Sequence, residues 1–316
     1  MISEHSIGGA QRGGTRKIVL SRWDTVYQFS AAGPQYAQHV AITHSGIDYI
    51  DASADSVVSV DWKMKSRWRA SLRFAADTQA PFPVELAASS DDRAWVLDGK
   101  TRAIKRVGGA GVPVSIKAVT NADGIAAFGF DTLLVLSDSS ASPVLLVAGS
   151  GGVIRGFALP WTFYGRLDAL ARATDLTTDS RGNWAVGFVY GDGWTVSSTT
   201  GRRYTGVYVE ATKFPDLLQF DSSNGITTEV LRSTRSAISI AVDGDKLYVL
   251  FAGSTLDRDR LIDEYDVPTA TYLHSYVLPE RAGRIMAVEG AVFAIGRTRP
   301  LRILRLRLAT GAAGTK

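Results

Sequence analysis

Ile238-Ser239-Ile240-Ala241-Val242-Asp243-Gly244-Asp245-Lys246-Leu247-Tyr248-Val249-Leu250 is the stretch whose reading decides the fold. Two apolar runs rich in β-branched and aromatic residues flank a tight Asp-Gly turn, the order expected of an antiparallel hairpin. Five further stretches repeat it: Val40 to Ile50 around Ser45-Gly46, Leu86 to Leu97 around Asp91-Asp92, and Ile125 to Leu136 around Gly129-Phe130-Asp131, then Leu176 to Val186 around Asp179-Ser180-Arg181-Gly182 and Ile285 to Ile295 around Glu289-Gly290. The copies lie roughly 40 to 65 residues apart. Helical spacing is convincing only over Tyr164 to Arg172, where Leu167, Leu170 and Ala171 fall on one face.

Between successive hairpins there is room for two more strands, such as Val57 to Trp62 with Trp68 to Phe74, Arg102 to Val107 with Val112 to Lys117, and Leu261 to Tyr265 with Tyr272 to Leu278. Four short strands per unit of about 40 to 50 residues define a β-propeller. The expectation is therefore an all-β, six-bladed propeller with four-stranded blades. After the sixth hairpin only Leu301 to Leu308 remains, so an N-terminal strand, from Lys17 to Leu20 or Thr25 to Phe29, must complete the last blade and remove the open edge. One domain is expected over 15–310, with tails at 1–14 and 311–316.

The turns Asp179-Ser180-Arg181-Gly182-Asn183-Trp184 and Val242-Asp243-Gly244-Asp245-Lys246-Leu247-Tyr248 resemble those of the six-bladed NHL-repeat and gluconolactonase-like propellers. The resemblance covers most of the chain and implies the fold rather than an activity. In gluconolactonase-like propellers Glu, Asn and Asp side chains hold a divalent metal such as calcium in the channel. The resemblance places Glu85, Asn121, Asp123 and Asp175 nearest to those positions. It thereby raises a metal-dependent hydrolase or lactonase as an alternative to a protein without a cofactor.

The chain of 316 residues is 45% hydrophobic and 21% charged, with no Cys and a formal charge of +4. That composition excludes disorder, thiolate chemistry and Cys-ligated zinc. No apolar run reaches the length of a membrane span, and the N-terminus lacks the basic and apolar regions of a signal peptide, so the chain reads as soluble. An exported mature form stays open, and the compartment is unknown. The four His form no HExxH pair, and Ala148-Gly149-Ser150-Gly151-Gly152 departs from a nucleophile elbow at its first position. No motif names a catalytic residue.

In four-stranded blades the connections into the inner strands and the second-to-third turns share one end of the ring, where ligands of closed β-folds bind. Two connections depart from the repeat. Leu159 to Arg172 carries Trp161, Tyr164 and Arg166. Tyr190 to Pro215 reads as a long second-to-third turn in which Trp194 to Ser198 and Tyr204 to Val209 form an extra hairpin. Together they would cap the mouth, with Tyr190, Trp194, Arg203 and Tyr204 facing a ligand.

The charge is uneven. Arg281 to Lys316 holds eight Lys/Arg against Glu289, a net +7, and Met1 to Trp23 holds four against Glu4, a net +3, which leaves about −6 for the remainder. Ring closure brings both basic segments together, and Arg235, Arg258, Arg284 and Arg297 fall on mouth-side loops of blades five and six. Guanidinium groups bind carboxylate and phosphate bidentately, so the expected partner is an acidic protein surface or a small anionic ligand. Nucleic acid is not indicated, because the net charge is small and no aromatic–basic motif for single strands appears. The favoured function is a non-catalytic binding or interaction module, with the channel hydrolase and a structural subunit of a larger assembly as alternatives.

Overall fold

The computed structural model describes residues 16–19, 21–73, 80–89, 92–108, 114–116, 119, 122–129, 131–137, 143–159, 174–189, 193–198, 201–210, 216–222, 225–232, 235, 237–253 and 257–307. Two strands come first, β1 (Ile18–Val19) and β2 (Arg22–Gln28). A 3-10 turn, Ala37–His39, leads into blade one: β3 (Val40–Thr43), β4 (Gly46–Asp51), β5 (Ser56–Asp61) and β6 (Ser66–Ser71). Blade two is β7 (Pro83–Ala88), β8 (Arg93–Asp98), β9 (Ile104–Gly108) and β10 (Val114–Ile116). Blade three is β11 (Ala122–Ala127), β12 (Thr132–Ser137), β13 (Val144–Ala148) and β14 (Val153–Phe157). Blade four is β15 (Thr174–Thr178), β16 (Asn183–Phe188), β17 (Gly193–Ser198) and β18 (Arg203–Val207). The hairpin β19 (Asp216–Ser222) and β20 (Gly225–Arg232) precedes blade five, which is β21 (Ala237–Asp243), β22 (Lys246–Phe251), β23 (Leu261–Asp266) and β24 (Thr271–Val277). Blade six contains β25 (Ala282–Val288), β26 (Ala291–Gly296) and β27 (Arg302–Arg307).

The six antiparallel blades form the ring that the repeats imply. Of the two N-terminal segments, the second closes it: β2 runs antiparallel along β27, with Trp23 opposite Leu306 and Thr25 opposite Leu304. The first instead adds a parallel fifth strand to blade five, Ile18 opposite Ser275. Arg16 pins that strand, donating from Nε to Asp263 Oδ1 at 3.0 Å and from Nη1 to Glu210, with its guanidinium 3.7 Å over the Phe251 ring.

Six hydrophobic clusters hold the ring, one at each blade-to-blade boundary. Successive residues of a strand point to opposite faces, and here both faces meet a neighbouring blade. In β16, for example, Trp184 and Val186 pack towards blade three, whereas Ala185 packs towards blade five. That is why the second strands are near-continuous apolar runs rather than alternating ones.

One sequence expectation is corrected. Gly193–Ser198 and Arg203–Val207 are not an insert in a long turn; they are the third and fourth strands of blade four, Trp194 opposite Gly187 on one side and Gly206 on the other. Only residues 189–192 of the sequence separate β16 from β17, and the extra hairpin is β19–β20, between blades four and five. The blade-four repeat is long, and an inserted hairpin and a regular outer pair carry the same alternating pattern along the sequence. The tails at 1–14 and 311–316 and the helical spacing at 164–172 lie outside the described residues.

Glycine at position 206 makes room for the fully buried Trp194, whose indole an added Cβ would overlap. Gly206→Ala is therefore expected to destabilise the fold by about 2 kcal/mol through overpacking, read by chemical denaturation.

Candidate functional site

Each inner strand places one residue opposite the fifth residue of its blade's second strand. The pairs are Glu85 with Leu97, Gly124 with Leu136, Asp175 with Gly187, Ser239 with Leu250 and Arg284 with Ile295. In blade one the register begins with Val40 opposite Tyr49, and His39, the last residue of the 3-10 turn, immediately precedes it. His39, Glu85, Gly124, Asp175, Ser239 and Arg284 thus occupy one level of the ring, near its mouth.

Contacts between these residues join the blades. The Ile125 N–H donates to Glu85 Oε2 at 3.0 Å, the Ile240 N–H to Asp175 Oδ2 at 2.7 Å, and the Ile285 N–H to Ser239 Oγ at 3.2 Å. Arg284 spans further, donating from Nη1 to the carbonyls of Gln38, Val40 and Leu86 at 3.1, 3.2 and 3.0 Å. Its Nη2 lies 3.6 Å from Glu85 Oε1, and the two side chains are only 10% and 14% exposed. His39 Nε2 donates to the Pro83 carbonyl at 3.1 Å. A carbonyl accepts only from a protonated nitrogen, so that bond selects the Nε2–H form of a neutral ring.

Enclosure shifts the titrating members. Burial pushes the Glu85 carboxyl from 4.5 up to about 7, against the opposing pull of the Arg284 charge and with Asp175 adding to the rise. Burial also raises Asp175, while Arg284 and bonds from the Ile240 N–H, the Ser239 hydroxyl and the Leu176 N–H oppose it. Burial drives His39 down to about 4, and the Arg284 and Arg299 charges act in the same direction.

The structure distributes the sequence candidates unevenly. Glu85 and Asp175 share the channel with Arg284. Asp123 is instead the extra residue of a bulge in β11; it is exposed and pairs with Arg102 Nη1 at 2.8 Å. No group of three or more His, Asp or Glu among the described residues could hold a metal ion. Asn121, Trp161, Tyr164, Arg166 and Tyr190 lie outside the described residues.

Trp194 is a core residue, 0% exposed and 5.8 Å from the Tyr265 ring, which corrects its reading as a ligand contact. Arg203 and Tyr204 follow the third-to-fourth turn of blade four, so they start their strand at the end opposite the mouth, a second correction. On the rim, Arg297 Nη1 is neutralised by Asp259 at 2.5 Å, and Arg302 by Glu280. Arg235 and Arg258 are exposed, as are Arg281 and Arg299 on adjoining loops. None of these four has a carboxylate partner among the described residues, although Asp257 is exposed beside Arg258.

His39 and Ser239 were missed as channel residues. Their shared level is masked in the sequence because bulges shift β7, β11, β21 and β25 by one residue, whereas β3 and β15 pair without one. The distance from ring level to turn therefore varies from copy to copy.

No protein-family model matches the chain, and no curated protein matches it in sequence. Solved structures do. Virginiamycin B lyase from Staphylococcus aureus is 12% identical, with 91% of this chain and 100% of that chain covered at a TM-score of 0.51. A streptogramin B lyase is also 12% identical, covering 91% and 98% at 0.51. The hydrazine synthase of Kuenenia stuttgartiensis is 14% identical, covering 90% and 97% at 0.50. At such identities the likeness is one of fold, and it defines the chain as a β-propeller without assigning an activity.

The raised Glu85 carboxyl has a measurable consequence. Between 4.5 and about 7 the folded chain keeps a proton that the unfolded chain has released, so this group's stabilisation is full at low pH and is lost as pH rises through about 7. Glu85→Gln cannot ionise. Its unfolding free energy relative to the parent should rise by up to about 3 kcal/mol between pH 4.5 and 7.5, measured by urea denaturation across pH. The opposing slope from His39 cancels in that difference, and a pH-independent difference would disprove the raised carboxyl.

Proposed function

We propose that the propeller is a binding module whose mouth, on the side of blades five and six, engages an acidic protein segment or a small anionic ligand. The observation that supports this reading is the gathering of Arg235, Arg258, Arg281 and Arg299 on the rim, exposed and without carboxylate partners among the described residues. A solvated guanidinium keeps its donors available, and several on one rim raise the local concentration of an anion and steer its approach. The partner's acidic groups would exchange water for bidentate bonds there, with an affinity that falls as salt is added.

A second reading, the channel hydrolase, draws support from two carboxyls of raised pKa on one ring level, a pattern found in acid–base sites. Their engagement with backbone N–H groups and Arg284 weighs for a structural role. The third, a structural subunit, would use the same rim to meet a neighbouring subunit.

Titration calorimetry with a poly-glutamate peptide and, separately, inorganic phosphate tests the first reading and tells an acidic segment from a small anion. Reversing three charges together, Arg235→Glu, Arg258→Glu and Arg299→Glu, should weaken the bound probe at least tenfold, about 1.4 kcal/mol, without lowering the melting temperature. Equal affinity in parent and variant would refute the rim as the binding surface. Hydrolysis of a lactone that Glu85→Gln abolishes and the triple variant leaves intact would favour the channel reading.

A further inference from the structure

A second, unrelated site opens between blades three and four at the end of the ring away from the mouth. It is a cavity of about 190 Å³. Phe128, Leu146, Phe157 and Trp184 supply its apolar walls. The Phe157 and Trp184 rings stand 5.2 Å apart at 53°, leaving their faces splayed rather than stacked. Trp184 is only 2% exposed, so this wall is fixed by the core.

Three guanidinium-bearing residues, Arg155, Arg202 and Arg203, line the same cavity, and no carboxylate does among the described residues. Arg155 sits 5.0 Å over the Phe157 ring, and Arg203 Nη2 donates to the Ala158 carbonyl at 3.0 Å. Those contacts orient both side chains and leave further donors on each fork, since a guanidinium carries five. Elsewhere on this end of the ring the pattern differs: Arg93 and Arg106 both close on Asp131, and Arg67 on Asp92.

Ser197 provides an independent sign of a ligand. It lines the cavity and is 6% exposed, and its Oγ has no hydrogen-bond partner among the described residues. The strand register sets it directly between Trp184 on β16 and Arg203 on β18. A buried hydroxyl without a partner costs free energy that a bound acceptor would recover.

We propose that this cavity binds a small amphipathic anion. Its aromatic or aliphatic body lies among Phe128, Leu146, Phe157 and Trp184. Its phosphate, sulfonate or carboxylate group meets Arg155, Arg202 and Arg203 and accepts the Ser197 hydroxyl proton in a hydrogen bond. The volume limits the body to about one ring, because a drug-sized ligand needs roughly 300 Å³ or more.

Calorimetry on the full chain with phenyl phosphate tests the site, with inorganic phosphate and benzyl alcohol as separate arms for the two halves of the ligand. Phenyl phosphate should bind at least about tenfold more tightly than either. The double variant Arg155→Gln, Arg203→Gln should weaken it by about tenfold, and Ser197→Ala by about threefold, each with an unchanged melting temperature. The rim variant carrying Arg235→Glu, Arg258→Glu and Arg299→Glu should bind it as the parent does, which keeps this site's failure distinguishable from that of the mouth. No saturable binding of phenyl phosphate at millimolar concentration, equal affinity in the double variant, or loss in the rim variant would overturn the proposal.

Discussion

Everything in this ring depends on how the inner strands satisfy the edge they turn to the channel. Each pairs with its own second strand on one side only, so its remaining N–H and C=O groups need partners from elsewhere. The neighbouring blade supplies them at both ends. Near the mouth, Glu85, Asp175 and Ser239 accept from the N–H groups of Ile125, Ile240 and Ile285 in the following blade. At the far end, Asp179 Oδ2 accepts from the Gly244 N–H at 2.9 Å and Asp243 Oδ2 from the Gly290 N–H at 2.5 Å. Between them the blade boundaries are filled by apolar clusters, and apolar contact does not fix register; directional bonds such as these, together with cross-blade ion pairs such as Arg102–Asp123 and Arg106–Asp131, do.

The exception at blade three supports this account. Gly124 stands at the ring level but has no side chain to offer blade four. The corresponding donor, the Leu176 N–H, bonds instead to the carboxyl of Asp175. Blades one and six reverse the polarity: His39 donates to the Pro83 carbonyl of blade two, and Arg284 donates to carbonyls of blades one and two. One cation placed beside two enclosed carboxyls also limits the electrostatic cost of burying them.

The fold was legible in the sequence because a hairpin such as Ile238 to Leu250 carries both the strand pattern and the turn chemistry locally. Ring closure was legible too, since an unpaired Leu301 to Leu308 demands a partner; the choice of Arg22–Gln28 over Ile18–Val19 rests on long-range packing that no local pattern encodes. Blade four was misread because β17–β18 and β19–β20 are both alternating hairpins, and only tertiary pairing tells which belongs to the blade. Within the candidate site, Glu85 and Asp175 stood out as carboxyls near strand starts. The ring level did not, because a bulge moves one residue without changing the hydrophobic pattern. Asp123 occupies such a bulge, and so a carboxylate that looks equivalent to Glu85 along the sequence points away from the ring and pairs with Arg102.

The same geometry decides where an anion can act. Arg284 is the most enclosed arginine of the mouth among the described residues, yet its Nη1 is committed to three carbonyls and its Nη2 faces Glu85. An anion entering the channel would find those donors engaged and would approach Glu85 and Asp175, whose ionisation it would oppose further. A guanidinium on the rim has neither restriction. The basic sector inferred from the chain ends therefore separates physically into an inner arginine that joins blades and outer arginines, Arg235, Arg258, Arg281 and Arg299, that remain available in water. Buried guanidiniums stabilise what they already touch; exposed ones without partners retain the capacity to recognise something new.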